Sequence, residues 1–210
     1  GSARKAIAVR TADYFFVGKG STGTVTHSVR TTTVGYEFSL GVDGGSNGTY
    51  ALSGGGVLSA PLEYIGRFGT GTFTQDSGFN GSGPIYVGTE YGSTGSYTLS
   101  GTGGIEAGAL HVGKSGCGTF TQSGSSSNLL MGTLFVGTDY GSIGTYKLTG
   151  GDLSVDDVER IGEAGTGTFT HTGGTNSVAG IYLGCQPSGN GTYNFWSNTS
   201  LSVGDLVVGV

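Results

Sequence analysis

The sequence predicts an all-β fold, a single-stranded parallel β-helix of about eight coils with 22–26 residues in each. Three observations predict it. Forty-six of the 210 residues are glycine. Those glycines recur at fixed places in an internal repeat, which is the signature of a solenoid. Between them, small polar and large apolar residues alternate with the two-residue period of a strand that buries one face. Other glycine-rich classes fail: collagen needs glycine at every third place with abundant proline, and this chain has three prolines. Disorder is opposed by 11 Tyr and 10 Phe together with many aliphatic residues. No 3.6-residue apolar stripe is present, so essentially no helix is expected.

The repeat has two anchors. A β-branched or leucine residue precedes glycine at Val17-Gly18, Leu40-Gly41, Ile65-Gly66, Val87-Gly88, Val112-Gly113, Val136-Gly137, Ile161-Gly162, Leu183-Gly184 and Val208-Gly209. The second anchor, Gly-Thr-aromatic, stands at Gly48-Thr49-Tyr50, Gly71-Thr72-Phe73, Gly118-Thr119-Phe120, Gly144-Thr145-Tyr146, Gly167-Thr168-Phe169 and Gly191-Thr192-Tyr193, with near copies at Gly95-Ser96-Tyr97 and Gly23-Thr24-Val25. Alternate units match best, which gives a superperiod near 48 residues. Each unit reads as a first strand on the Gly-Thr-aromatic anchor, a second near Val57-Leu58-Ser59, and a third ending at the Val-Gly anchor. Glycine belongs at the bends, where positive φ is needed. Coils stack about 4.8 Å apart, so eight make a rod of roughly 40 Å, expected to be right-handed. The opening Gly1-Ser2 reads as an expression scar. Residues 1–16 are then a scar plus an irregular end or partial coil, and residues 17–210 are the solenoid, a fragment of a longer array.

Stacking turns the repeat into files of side chains. One inward file is Val25, Tyr50, Phe73, Tyr97, Phe120, Tyr146, Phe169 and Tyr193. Two residues on, the next is His27, Leu52, Gln75, Leu99, Gln122, Leu148, His171 and Phe195. Phe travels with a polar partner in odd coils, and Tyr with an apolar one in even coils. Leaving a buried amide or imidazole unsatisfied costs about 1–3 kcal/mol. Gln75, Gln122 and His171 are therefore expected to hydrogen-bond tyrosine hydroxyls or backbone of adjacent coils, the alternative being a solvated corner. At the bends, Lys19, Asp43, Arg67, Glu90, Lys114, Asp139 and Glu163 alternate in sign until the last step. Such pairs favour register more than stability, at about 0–1 kcal/mol each. Cys117 and Cys185 fall three coils apart, roughly 14 Å, beyond disulfide reach, so two free thiols are expected.

Several function classes recede on composition. Nine basic residues and a net charge of −5 oppose a nucleic-acid partner, and no apolar run is long enough to span a membrane. The carboxylates Asp43, Glu90 and Asp139 lie two coils apart, too far for a metal site, and no cofactor motif is present; the glycine-rich stretches lack the Gly-Lys-Ser/Thr of a phosphate loop. Asp152, Asp156, Asp157, Glu159 and Arg160 form the one dense charged cluster, read as a solvated bend rather than the paired carboxyls of a glycosidase. No catalytic residue is expected.

Two surface files invite binding. The outward file Phe16, Ser39, Tyr64, Tyr86, His111, Phe135, Arg160, Tyr182 offers Tyr64, Tyr86, Phe135 and Tyr182 as a platform for sugar rings; its alternative is cross-strand packing without a ligand. The outward threonine files, Thr24 to Thr192 and Thr26 to Thr170, look like an ice-binding face, but Ala51, Lys147 and Asn194 break the second of them.

With Gly-Thr-Phe-Thr-Gln at 71–75 and 118–122, Gly-Thr-Phe-Thr-His at 167–171, and Gly-Thr-Tyr-x-Leu-Ser/Thr-Gly at 48–54 and 144–150, the chain resembles the repeats associated with type V secretion (autotransporter) and PEP-CTERM surface proteins of Gram-negative bacteria, including planctomycetes. The resemblance covers roughly residues 14–210 and carries over no catalytic residue. It implies an extracellular or cell-surface β-helical stalk, matrix or adhesive element. The expected partners are other copies or neighbouring repeats end to end, and extracellular glycans. The first unit departs from the pattern, since Val25 replaces the aromatic and Val29-Arg30-Thr31-Thr32-Thr33 lacks the glycines.

Overall fold

A computed structural model shows a β-solenoid of about eight turns, and describes residues 5–6, 11–197 and 199–209. Every strand pairing in it is parallel, and no helix occurs among the described residues. Three ladders run along the rod. The first stacks Thr22–His27, Asn47–Leu52, Thr70–Gln75, Thr94–Leu99 and Cys117–Gln122, the opening residues of Ile143–Ile161 and of Thr166–Leu183, and Asn190–Phe195. The second contains Val57–Ala60 and Ser127–Leu130, and the third Glu63–Ile65 and Leu134–Val136. In Phe79–Val87 and Gly104–Val112 the second and third merge into one strand. Register is kept residue for residue: Tyr97 lies over Phe73 on one side and Phe120 on the other.

Two kinds of glycine set this register for different reasons. Gly88, in the Val-Gly anchor, has φ +72°, and a Cβ there would stand 2.2 Å from the carbonyl oxygen of Cys117 in the next coil. Gly118, in the Gly-Thr-aromatic anchor, has no such dihedral; its Cβ would stand 2.2 Å from Gly113 N and from Val87 O. The first glycine turns the chain and the second lets it close on the coil below.

The core is the set of inward files. Tyr50, Phe73, Tyr97, Phe120, Tyr146 and Phe169 are fully buried; Tyr50 is tilted against Phe73 at 5.1 Å, and from Phe73 onward the rings stack at centroid separations of 4.4, 4.9, 4.9 and 4.8 Å. Around them pack Leu40, Ile65, Val87, Val112, Val136 and Ile161, the residues before the anchor glycines. Complete burial of one such ring contributes about 1.5–3 kcal/mol, so the aromatic file is a large share of the stabilisation.

Stacking reaches N-terminal of residue 17. Thr11–Val17 pairs with residues 33–40, and Lys5–Ala6 with residues 25–26; Gly1-Ser2 lies outside the described residues. Arg30 occupies the place that Gly78 holds in a later coil and takes the same left-handed conformation, φ 74° against 76°. Both cysteines are free, as their separation required. The charge file is only partly paired. Lys114 Nζ meets Asp139 Oδ2 at 2.9 Å, whereas Arg67 turns from Asp43 and Glu90 to Glu37 at 2.6 Å, and Arg160 binds Glu163. Arg67 also lies over the Tyr64 ring, which draws it away from the bend.

Candidate functional site

The polar side chains expected inside the rod are there, and each is satisfied by a tyrosine of the next coil. Tyr97 Oη donates to Gln75 Oε1 at 2.6 Å, and Tyr146 Oη donates to Gln122 Oε1 at 2.6 Å. The Gln75 amide nitrogen donates to the carbonyls of Gly78 and Gly104. At the two histidine positions Nε2 faces a carbonyl, Arg30 O at 2.9 Å or Gly174 O at 3.2 Å, so it carries the proton. Nδ1 is then the acceptor, and receives the Tyr50 hydroxyl at 2.6 Å and the Tyr193 hydroxyl at 3.2 Å. The solvated-corner alternative is excluded, because Gln75, Gln122 and His171 are fully buried.

A second polar file, on the second ladder, completes the arrangement. Asn80, Asn128 and Asn176 are buried, and their Nδ2 atoms donate to the hydroxyls of Tyr97, Tyr146 and Tyr193 at 3.2, 3.1 and 3.1 Å. Their signal was available: they stand 48 residues apart, one superperiod. Two carboxyls join them from the third ladder. Asn80 Nδ2 also reaches Glu63 Oε2 at 3.0 Å, and Asn176 Nδ2 reaches Glu159 Oε1 at 2.9 Å.

Glu159 corrects the reading of the charged cluster as a solvated bend. Asp152, Asp156 and Asp157 are exposed, but Glu159 is fully buried. Glu159 keeps the inward parity of Leu153, Val155 and Ile161 and lies over the buried Leu134, while the irregularity between Val155 and Val158 leaves Asp156 and Asp157 outside. Burial pushes both carboxyls up to about 8, and the asparagine hydrogen bond offsets part of that rise. They are neutral acids at neutral pH. Burial likewise raises the hydroxyls of Tyr97 and Tyr146 and lowers His171.

The outward file is also ordered. Tyr64 and Tyr86 stack at 5.4 Å, Tyr86 and His111 at 4.7 Å, and His111 and Phe135 at 4.4 Å; Arg160 then covers Tyr182 at 5.7 Å. Each internal ring is half-buried and has its faces against its neighbours, so it turns edges to solvent. His111 takes part as a neutral ring, since burial and the nearby Lys114 ammonium bring it down to about 4. In the threonine files Lys147 is exposed, as the break in that face required.

A concave surface lies elsewhere, on the second ladder. There the outward row reads Thr33, Ser59, Gly81, Glu106, and its small members leave an open groove of about 510 Å³. Phe79 and Pro61 flank it, and Glu106 and Met131 stand toward its C-terminal end. No sequence reading singled it out, because its defining feature is a shortage of side chains.

No relative places the chain. Family models, curated proteins and solved structures all yield no match. Function therefore rests on the geometry. Among the described residues no three His, Cys, Asp or Glu side chains gather to hold a metal ion.

Proposed function

We propose that the chain is a non-enzymatic structural β-solenoid of the bacterial exterior, a stalk, matrix or adhesive element that extends by stacking parallel coils end to end. One observation carries this: the amides, the two raised carboxyls and the core tyrosine hydroxyls are buried together inside the rod. The carboxyls with raised pKa, the amides, His171 and the core tyrosines bond to one another in a file without solvent access, where they fix the order of the coils and meet no substrate. The exterior location follows from the resemblance to secreted and surface repeats. Stacking is supported by the face of the coil made by Asn190–Phe195 and Ser200–Val208, which pairs on one side only among the described residues. On it Leu183, Tyr193, Phe195, Leu201 and Leu206 surround a small apolar hollow of about 90 Å³. Such an apolar strand face is a template for a further coil, whether the continuation of the same chain or a second copy.

Sedimentation velocity across a hundredfold concentration range tests the proposal. Oligomers or filaments are expected, and Leu206→Lys, which charges an exposed position on that face, is expected to return the protein to monomers. A wild-type chain that stays monomeric at the highest concentration overturns the stacking reading.

A further inference from the structure

We infer that the groove on the second ladder binds a neutral glycan, with the Phe79 ring as its platform and the Glu106 carboxylate as its hydroxyl acceptor. The inference is independent of end-to-end stacking, which uses another surface.

The groove is built around the ring. A Cβ at Gly81 would come within 3.1 Å of Phe79 Cε1, and one at Gly104 within 3.4 Å of Cδ2. Glycine on either side lets the ring lie down against the sheet, while it remains 40% exposed. This differs from the outward file of Tyr64, Tyr86, His111 and Phe135, whose faces are taken by one another. An aromatic face left free beside a concavity suits the apolar face of a pyranose ring.

The surroundings choose among occupants. The groove floor is strand backbone already paired in the ladders on both sides, so it has no free edge with which to hold an added peptide strand. It is open to solvent along its length rather than enclosed. Glu106 is exposed and has no ion-pair partner among the described residues, and the chain carries net charge −5; an anionic ligand is therefore disfavoured, and a ligand rich in hydroxyl donors is accommodated. Ser59 adds a hydroxyl to the lining. Flat apolar platform, carboxylate acceptor and hydroxyl lining together describe a sugar.

The experiment is calorimetric titration and affinity electrophoresis of the whole chain against four neutral soluble glycans (laminarin, hydroxyethyl cellulose, xyloglucan and galactomannan), with polygalacturonate as the anionic control. Binding to at least one neutral glycan is expected. Phe79→Ala should weaken it at least tenfold and Glu106→Gln several-fold, with thermal melting unchanged for the second variant, whereas Tyr86→Ala should bind as wild type. Three results overturn the inference: no neutral glycan binds; polygalacturonate binds best; or Tyr86→Ala abolishes binding that Phe79→Ala and Glu106→Gln leave intact, which moves the site to the outward file.

Discussion

Two stretches of the core repeat the same hydrogen bonds, and one of them contains a carboxyl. Around Tyr97, the hydroxyl donates to Gln75 at 2.6 Å and receives Asn80 at 3.2 Å, and Asn80 also bonds Glu63. Around Tyr146, two coils on, the distances to Gln122 and Asn128 are 2.6 and 3.1 Å, and Leu110 fills the place equivalent to Glu63. Geometry that survives the exchange of Glu for Leu does not depend on the acid. The tyrosine, amide and asparagine are the register device, and the carboxyl is an added group whose burial is tolerated because it keeps its proton. The stretch around Tyr193 is a third variant, with Glu159 beside His171.

The largest expected effect separates these stretches by pH. Glu63 and Glu159 titrate near 8 when folded, well above an ordinary carboxyl, so the folded state holds protons that the unfolded chain releases. Their contribution is complete at pH below the usual carboxylate value and is lost as pH rises toward about 8, on the order of 1.4 kcal/mol per pH unit for each group. His171 and His111 act in the opposite sense. Their folded values are lowered, so stability is lost as pH falls below the usual histidine value. Urea midpoints between pH 5 and 9 should therefore decline toward the alkaline side. Glu63→Leu with Glu159→Leu, which copies the Leu110 arrangement, should flatten that decline. A wild-type midpoint that holds level from pH 6 to 8.5 contradicts the neutral-acid assignment. Coils of a solenoid open semi-independently, so amide exchange adds a local reading, with the alkaline loss strongest in the coils of Glu63 and Glu159 and weakest in the coil of Leu110, two coils from either acid.

A smaller difference sharpens the same contrast. Tyr97→Phe and Tyr146→Phe each remove one hydroxyl from a buried network, at a cost of about 1–3 kcal/mol. After Tyr97→Phe, Asn80 still donates to Glu63; after Tyr146→Phe, Asn128 Nδ2 keeps no side-chain acceptor among the described residues. The second variant should be the less stable by roughly 1 kcal/mol in denaturant melts. Equal losses would show that the carboxyl does not hold Asn80.

What could be read in the chain follows from what repeats. The aromatic file, the Val-Gly bends and the bonds of Gln75, Gln122 and His171 were legible because one residue class recurs at one place in every coil or every second coil. Glu63 and Glu159 were harder, since an acid beside charged neighbours reads as surface, and Asp156 and Asp157 are surface. The clue lay in the column: Glu63-Tyr64-Ile65-Gly66 and Glu159-Arg160-Ile161-Gly162 align with Ile85-Tyr86-Val87-Gly88 and Leu134-Phe135-Val136-Gly137, which puts each acid at an inward apolar position. Ion pairing at the bends was the least legible part. A side chain such as Arg67 reaches several acids, and the choice of Glu37 depends on where the Tyr64 ring sits.

The first odd coil is the irregular copy, and it supplies the smallest test. Its polar residue is His27, which bonds Tyr50 as His171 bonds Tyr193, but the bend after it holds Arg30 at φ 74° where Gly78 stands later. A left-handed non-glycine residue costs roughly 1–2 kcal/mol, and glycine in an ordered chain costs roughly 0.5–1 kcal/mol in entropy. Relief of the dihedral should win by a narrow margin. The carbonyl of residue 30 that accepts from His27 Nε2 is backbone, so the exchange keeps that bond. Arg30→Gly is thus expected to raise stability by about 0.5–1 kcal/mol, seen as a slightly higher urea midpoint. Gly78→Arg should lower it, because a Cβ at Gly78 would meet the Gly56 carbonyl oxygen at 2.4 Å as well as the strained dihedral. If both exchanges destabilise alike, Arg30 makes a contribution through its side chain that outweighs the backbone cost.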